Sequence, residues 1–272
     1  MKLNTLIDNA ANLPSIPKVV QELIESFSDE DFDIDDIAKK VASDQALTAK
    51  ALRLANSAKY GGNRAVGSVN DAIVRMGFDA LRTLVLASGL TGAFKAPPNF
   101  DIQAFWRKSF MVANRAKWVA RYTRYNPETV FTCAMMHAIG DLLIHILLPE
   151  EALGIDKLVE QGANRVDLQQ NQLGFDYTEA GEALAQRWKF PPMIADGIRW
   201  QNEPLAADRP APLAAINAIG LYLTQNESKT KQEILGEFPS AIAESLDIDL
   251  VEMMAKIDQL REIDVGLEEL LP

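Results

Sequence analysis

Apolar residues recur along this chain at helical spacing almost throughout, and no useful length alternates with a period of two. Ile16, Val19, Val20, Leu23, Ile24 and Phe27 form one face just after Pro14 and around Pro17, the i, i+3, i+4 pattern of a helix packed on one side. Ile34, Ile37, Ala38 and Val41 form a second face behind Asp33, and Asp44 is placed to cap a third helix over DQALTAKALRLANS. A carboxylate at such a position accepts from the first-turn N–H groups that lack a helical partner. Ser68 with Asp71 makes a capping-box-like pattern before AIVRMG, Gly77 suits the end of that helix, and Asp79 opens DALRTLVLASGL. The segment 92-GAFKAPPNFD-101 is the best boundary, because Gly and Pro-Pro stop a helix and the residue before proline is pushed extended. Beyond it the spacing predicts helices at about 102–124, 127–147, 150–162, 167–172, 176–188 and 191–201. A loop at 202–212, a helix over LAAINAIGLYLTQ and an amphipathic piece through Leu250, Val251, Met254, Ile257, Leu260 and Ile263 complete the chain. The expected fold is all-α.

Composition narrows the class. The chain has 272 residues, 48% hydrophobic and 24% charged, an ordinary globular balance. One cysteine, Cys133, excludes an intramolecular disulfide and a multi-Cys zinc site. No signal-peptide core opens the chain, and no unbroken apolar run approaches the roughly 18 residues of a membrane span. A cytoplasmic protein with no membrane partner is therefore the default expectation. The net charge of −11 also argues against general nucleic-acid binding, which needs a basic surface. The two helices across residues 34–56 could pass for a helix-turn-helix, but the dense Asp there favours plain antiparallel packing.

The charge is unevenly placed. From Glu237 to Glu269 ten acids stand against Lys256 and Arg261, a local net of −8. Between Asp101 and Glu128 lie Arg107, Lys108, Arg115, Lys117, Arg121 and Arg124 with no acid among them. Such a stretch is either an anion-binding wall, using Arg115, Lys117, Arg121 and Arg124, or a surface that pairs with the acidic tail. Both histidines fall in 135-MMHAIGDLLIHILLPEE-151. On one continuous helix Asp141 shares a face with His137 at i, i+4, able to help hold a metal or to accept a hydrogen bond. His145 would stand about 80° around and about 12 Å along the axis, too far to share that site. A stable zinc site needs three or four protein ligands, and there is no third histidine.

The run LPSIPKVVQELI, then DIDDIAKKVASDQALTAKALRLANSAKYGG, then AVGSVNDAIVRMGFDALRTLVLA resembles the HDOD domain family. The likeness continues through 106-WRKS-109, 131-FTCAMMHAIGDLL-143, 174-GFDYTEAGEALAQRWKFP-191 and 198-IRWQNEP-204, covering roughly residues 13–225. It implies an HD-like multi-helix bundle with an N-terminal helical subdomain over 1–95, an HD-like half over 96–225 and an acidic helical extension over 226–272. HDOD domains are similar in fold to the HD superfamily of metal-dependent phosphohydrolases, and the resemblance implies bacterial signalling or regulation.

The resemblance also implies where a metal site would stand. The superfamily expects histidine where this sequence has Lys108, a His-Asp pair where it has His137 and Ala138, a histidine near Tyr177, a His-His pair where it has Gln201 and Asn202, and an aspartate near Gly220 or Leu221. One position is retained. Lys108, His137, Asp141, Tyr177, Gln201 and Asn202 are thus expected to line a vestigial polar pocket, with the Lys108 ammonium replacing part of a cation's charge. No catalytic residue, metal or cofactor is assigned. The expected function is a non-enzymatic signal-transduction module that binds a signalling protein or an anionic small ligand. With no βα alternation of an attached receiver or catalytic segment, it is expected to act in trans. The alternative is a metal-dependent phosphohydrolase of a nucleotide or cyclic dinucleotide, for which His137, Asp141, Asp176 and Glu179 are the remaining candidates.

Overall fold

Polar caps decide where most of the helices begin. Asp33, Asp44, Ser68, Asp101, Asn126, Asn164 and Asp176 each accept from first-turn N–H groups in the computed structural model of the protein. Each such cap is worth about 1 kcal/mol. The structure describes residues 3, 7, 16–25, 33–57, 60–62, 64–261 and 263–264; Leu13, Pro14 and Phe27 lie outside them. No strand occurs among the described residues.

The N-terminal part holds α1 (Lys18–Glu25), α2 (Ile34–Ser43), α3 (Gln45–Ala55), α4 (Val69–Met76) and α5 (Phe78–Ala93). Gly77, at φ 85°, turns the chain from α4 into α5, a conformation that costs glycine little. The start expected at Asp79 therefore moves to Phe78. Residues 81–91 of α5 are all buried, so this helix is apolar all round and packs on α1, α3 and α4.

After the Pro-Pro boundary come α6 (Ile102–Ala120), α7 (Pro127–Met135), α8 (Ile139–Leu147), α9 (Pro149–Glu160), α10 (Arg165–Leu173), α11 (Tyr177–Arg187), α12 (Pro192–Arg199) and α13 (Pro212–Gln225). Helix α6 lies against α7 and α13, and α11 lies against α8 and α12. Trp106, Phe110 and Trp118 of α6 are fully buried among them. Gly140 and Gly181 permit the closest approach: a Cβ on Gly140 would stand 2.0 Å from the Tyr177 carbonyl oxygen. The chain closes with α14 (Lys231–Gly236), α15 (Ser240–Ser245), α16 (Leu250–Ala255) and a 3₁₀ turn at Ile257–Arg261. Val251, expected on the apolar face of this last piece, is instead 83% exposed, because the buried face runs through Met253, Met254 and Ile257 and Val251 stands to one side of it.

One apolar core holds Val20, Leu84, Phe110, Ile198 and Ile257 together, and the N-terminal part joins the rest through α5 on α7. By average hydropathy, the stretch Pro127–Leu147 passes the length and composition test for a membrane span; 78% of it is buried in the fold. It is also not one helix, contrary to the spacing-based expectation for 127–147. It breaks at Met136–Ala138.

Candidate functional site

That break is where His137 sits. Met136 N–H reaches the Cys133 carbonyl, His137 N–H reaches Ala134 and Ile139 N–H reaches Met136, at 3.0–3.1 Å. These three-residue closures tighten the end of α7 and start α8 afresh. Two side chains stabilise the joint. His137 Nδ1 lies 2.8 Å from the Ala134 carbonyl, and Gln201 Nε2 donates to the His137 carbonyl at 2.6 Å and to that of Ile198 at 2.8 Å. Gln201 thus spends its amide on the backbone that carries His137.

A cleft of about 560 Å³ opens beside this joint. Lys108, His137, Asp141, Tyr177 and Asn202 all line it, five of the six residues that the sequence grouped. Gln201 is buried behind His137 and does not line it. Burial, aided by the nearby Lys108 charge, lowers the His137 pKa to about 4, so the ring is neutral near pH 7. Burial likewise pushes Tyr177 up to about 12; its hydroxyl donates to Asn202 Oδ1 at 2.9 Å.

Asp141 is not a partner of the His137 ring, because its Oδ1 accepts from Arg165 at 3.1 Å and from Gln169 Nε2 at 2.8 Å. The cation that answers Asp141 is therefore Arg165. Arg165 extends the network to Asp156 at 2.7 Å, and Asp156 meets His145 Nε2 at 2.8 Å. His145 Nδ1 closes the ring on the Asp141 carbonyl at 2.8 Å. His145 is a structural tie among α8, α9 and α10, apart from the cleft. The sequence reading passed over Arg165, Gln169 and Asp156. One signal was present: Arg165 is the lone basic residue between Lys157 and Arg187, among Glu160, Asp167, Asp176, Glu179 and Glu182.

The donor set does not fit a transition metal or a two-metal centre. Asp141 Oδ1 is held by a guanidinium and an amide, Asp176 and Glu179 form the capping box of α11, and the free Nε2 of His137 is left without companion ligands among the described residues. No group of three or more His, Cys, Asp or Glu with metal-holding geometry occurs among the described residues. A metal would also meet the uncompensated ammonium of Lys108 in the same cleft.

Two cations of the basic stretch, Arg115 and Lys117, are answered by acids, which leaves fewer of its charges open to an external anion. Arg115 is buried and pairs with Glu227 at 2.9 Å and Asp264 at 2.8 Å. Lys117 pairs with Glu128, which also accepts from Thr83. Arg121 shares a surface hollow with Asp247, Asp249 and Glu252. Arg124 donates to the Tyr125 hydroxyl at 3.3 Å. The alternative held open by the sequence, pairing with the acidic tail, is what Arg115 does.

Comparison with known proteins agrees with this architecture. The HDOD domain family model matches residues 13–204. A candidate phosphohydrolase of Shewanella amazonensis SB2B is 33% identical with a TM-score of 0.82, covering 98% of both chains. An HDOD domain protein of unknown function from Geobacter sulfurreducens is 26% identical with a TM-score of 0.85, covering 99% of this chain and 97% of its own. An uncharacterised protein of Treponema pallidum (strain Nichols) is 26% identical over 224 residues, 79% of this chain. This chain spans 42% of the length of that relative.

Proposed function

The chain belongs to the HDOD domain family, and from that premise we propose that it is a non-enzymatic regulatory module whose cleft beside His137 receives a partner or small ligand. The observation that carries this reading is that the cleft brings together too few potential metal ligands. Asp141 Oδ1 accepts from Arg165 and Gln169 in a part-buried network, and no group of three or more His, Cys, Asp or Glu that could hold a metal occurs beside it among the described residues. Phosphoester hydrolysis of the phosphohydrolase kind needs a metal to activate water and neutralise phosphate charge, and the residues here do not supply that coordination. Fold likeness to a candidate phosphohydrolase carries architecture rather than chemistry.

The test is elemental analysis of the purified protein after equilibration with manganese and zinc, followed by hydrolysis assays on nucleotides and cyclic dinucleotides. The expected result is substoichiometric metal and no turnover. Stoichiometric metal that disappears in His137→Ala, together with turnover, would establish the phosphohydrolase reading instead.

A further inference from the structure

His137 is 4% exposed and faces the cleft. Its Nδ1 lies against a carbonyl, which only accepts, so Nδ1 carries the proton. Nε2 keeps a lone pair with no partner among the described residues. A lone pair repels an oxyanion and can accept an N–H or O–H from whatever occupies the cleft.

The charges around it restrict that occupant further. Asp141 and Arg165 answer each other at 3.1 Å. Lys108, Asp167 and Glu203 also line the cleft and have no ion-pair partner among the described residues. The available charge is therefore one cation and two carboxylates, of both signs and net negative. Phe105, Val166 and Leu221 add an apolar wall. A phosphodiester group brings negative charge and no donor of its own, so it satisfies Lys108 and is repelled by Asp167 and Glu203. A zwitterion with an apolar body matches the mix of charges and the apolar wall.

We propose that the cleft binds a zwitterionic amino carboxylate with an apolar side chain, its carboxylate at Lys108 and its ammonium at His137 Nε2 and the acidic rim. This rests on the cleft being a binding site rather than a catalytic centre. These 272 residues hold two histidines, so the ¹⁵N-histidine NMR spectrum is resolvable, with a His145→Gln variant for assignment. The probes are L-phenylalanine, 3-phenylpropionate (no ammonium), phenethylamine (no carboxylate) and cyclic di-GMP.

The expected result is that L-phenylalanine moves the His137 Nε2 resonance towards its hydrogen-bonded position. The two truncated analogues should need about tenfold more, equivalent to about 1.4 kcal/mol per lost charge contact. Lys108→Met should weaken L-phenylalanine binding about tenfold while the unliganded melting temperature stays constant, because Lys108 is exposed. No response to L-phenylalanine, equal response to all three small probes, or response to cyclic di-GMP alone would overturn the assignment. Binding of cyclic di-GMP without hydrolysis would overturn this inference and leave the regulatory reading standing. Manganese-dependent hydrolysis of it would overturn the regulatory reading.

Discussion

Arg165 carries more of the site than any residue the sequence pattern singled out. It meets Asp141 and Asp156 from a side chain 28% exposed, so its bonds are partly desolvated and charge-assisted. Arg165→Met should cost about 1–3 kcal/mol by the usual magnitude of hydrogen bonds to charged groups, read by urea denaturation. The loss should shrink when Asp141→Asn is already present, since the two act through one contact. Equal losses in both backgrounds would mean that Arg165 stabilises only through Asp156. The His137 position was legible because a histidine in an apolar run is conspicuous. Its true partners were not, because a one-dimensional pattern assumes an unbroken helix and so pairs His137 with Asp141.

His137 also sets a pH dependence. Its pKa is about 4 in the fold, lowered by burial from an ordinary 6.5, so the unfolded chain takes up a proton that the fold refuses. Stability from this group is complete above about pH 6.5 and falls between 6.5 and 4, by up to about 3 kcal/mol at about 1.4 kcal/mol per pKa unit. A His137→Asn variant should lose that slope in denaturation series run between pH 4 and 7. An unchanged slope would assign the pH dependence to other groups.

At the scale of elements, the contact of α8 with α11 fixes the relation between Asp141 and Tyr177. Gly140 has no room for a methyl, with the Tyr177 carbonyl oxygen 2.0 Å and the Gly181 nitrogen 2.4 Å from an added Cβ. Both obstacles are backbone, so the helices must separate. Gly140→Ala should destabilise the protein by about 1–3 kcal/mol or more, against the gain in helix propensity that alanine ordinarily brings. A neutral or stabilising result in thermal melting would contradict this packing. Caps made helix starts legible at Asp33, Asp44 and Ser68. The break at Met136–Ala138 was hidden, because AMMHAI contains neither proline nor glycine and the joint is stabilised from outside by Gln201, 64 residues away in sequence.

At the scale of the molecule, the acidic C-terminal region is bound to the basic face of α6. Asn114 donates to Asp264 at 2.9 Å, Arg115 to Asp264 at 2.8 Å, and Trp118 Nε1 to Gln259 at 3.1 Å. The side chain of Arg115 is 5% exposed, that of Asp264 27% and that of Glu227 52%. Removing Asp264 therefore leaves a buried guanidinium with one solvated partner, whereas removing Glu227 leaves the better-shielded one. Asp264→Ala should cost more stability than Glu227→Ala in urea, with the reverse order counting against this account. Composition had already separated the charges into a basic helix and an acidic tail. It could not choose between pairing and an external anion, because that depends on where the chain returns after α13.

On the function proposed above, the His137 cleft works by hydrogen bonding and charge pairing rather than metal catalysis. Manganese titration of the ¹⁵N-histidine-labelled protein tests it most directly, since a bound paramagnetic ion broadens the nearest ring nitrogens. We predict that one equivalent of manganese leaves the His137 and His145 signals equally sharp. Selective loss of the His137 Nε2 signal at one equivalent would contradict the account.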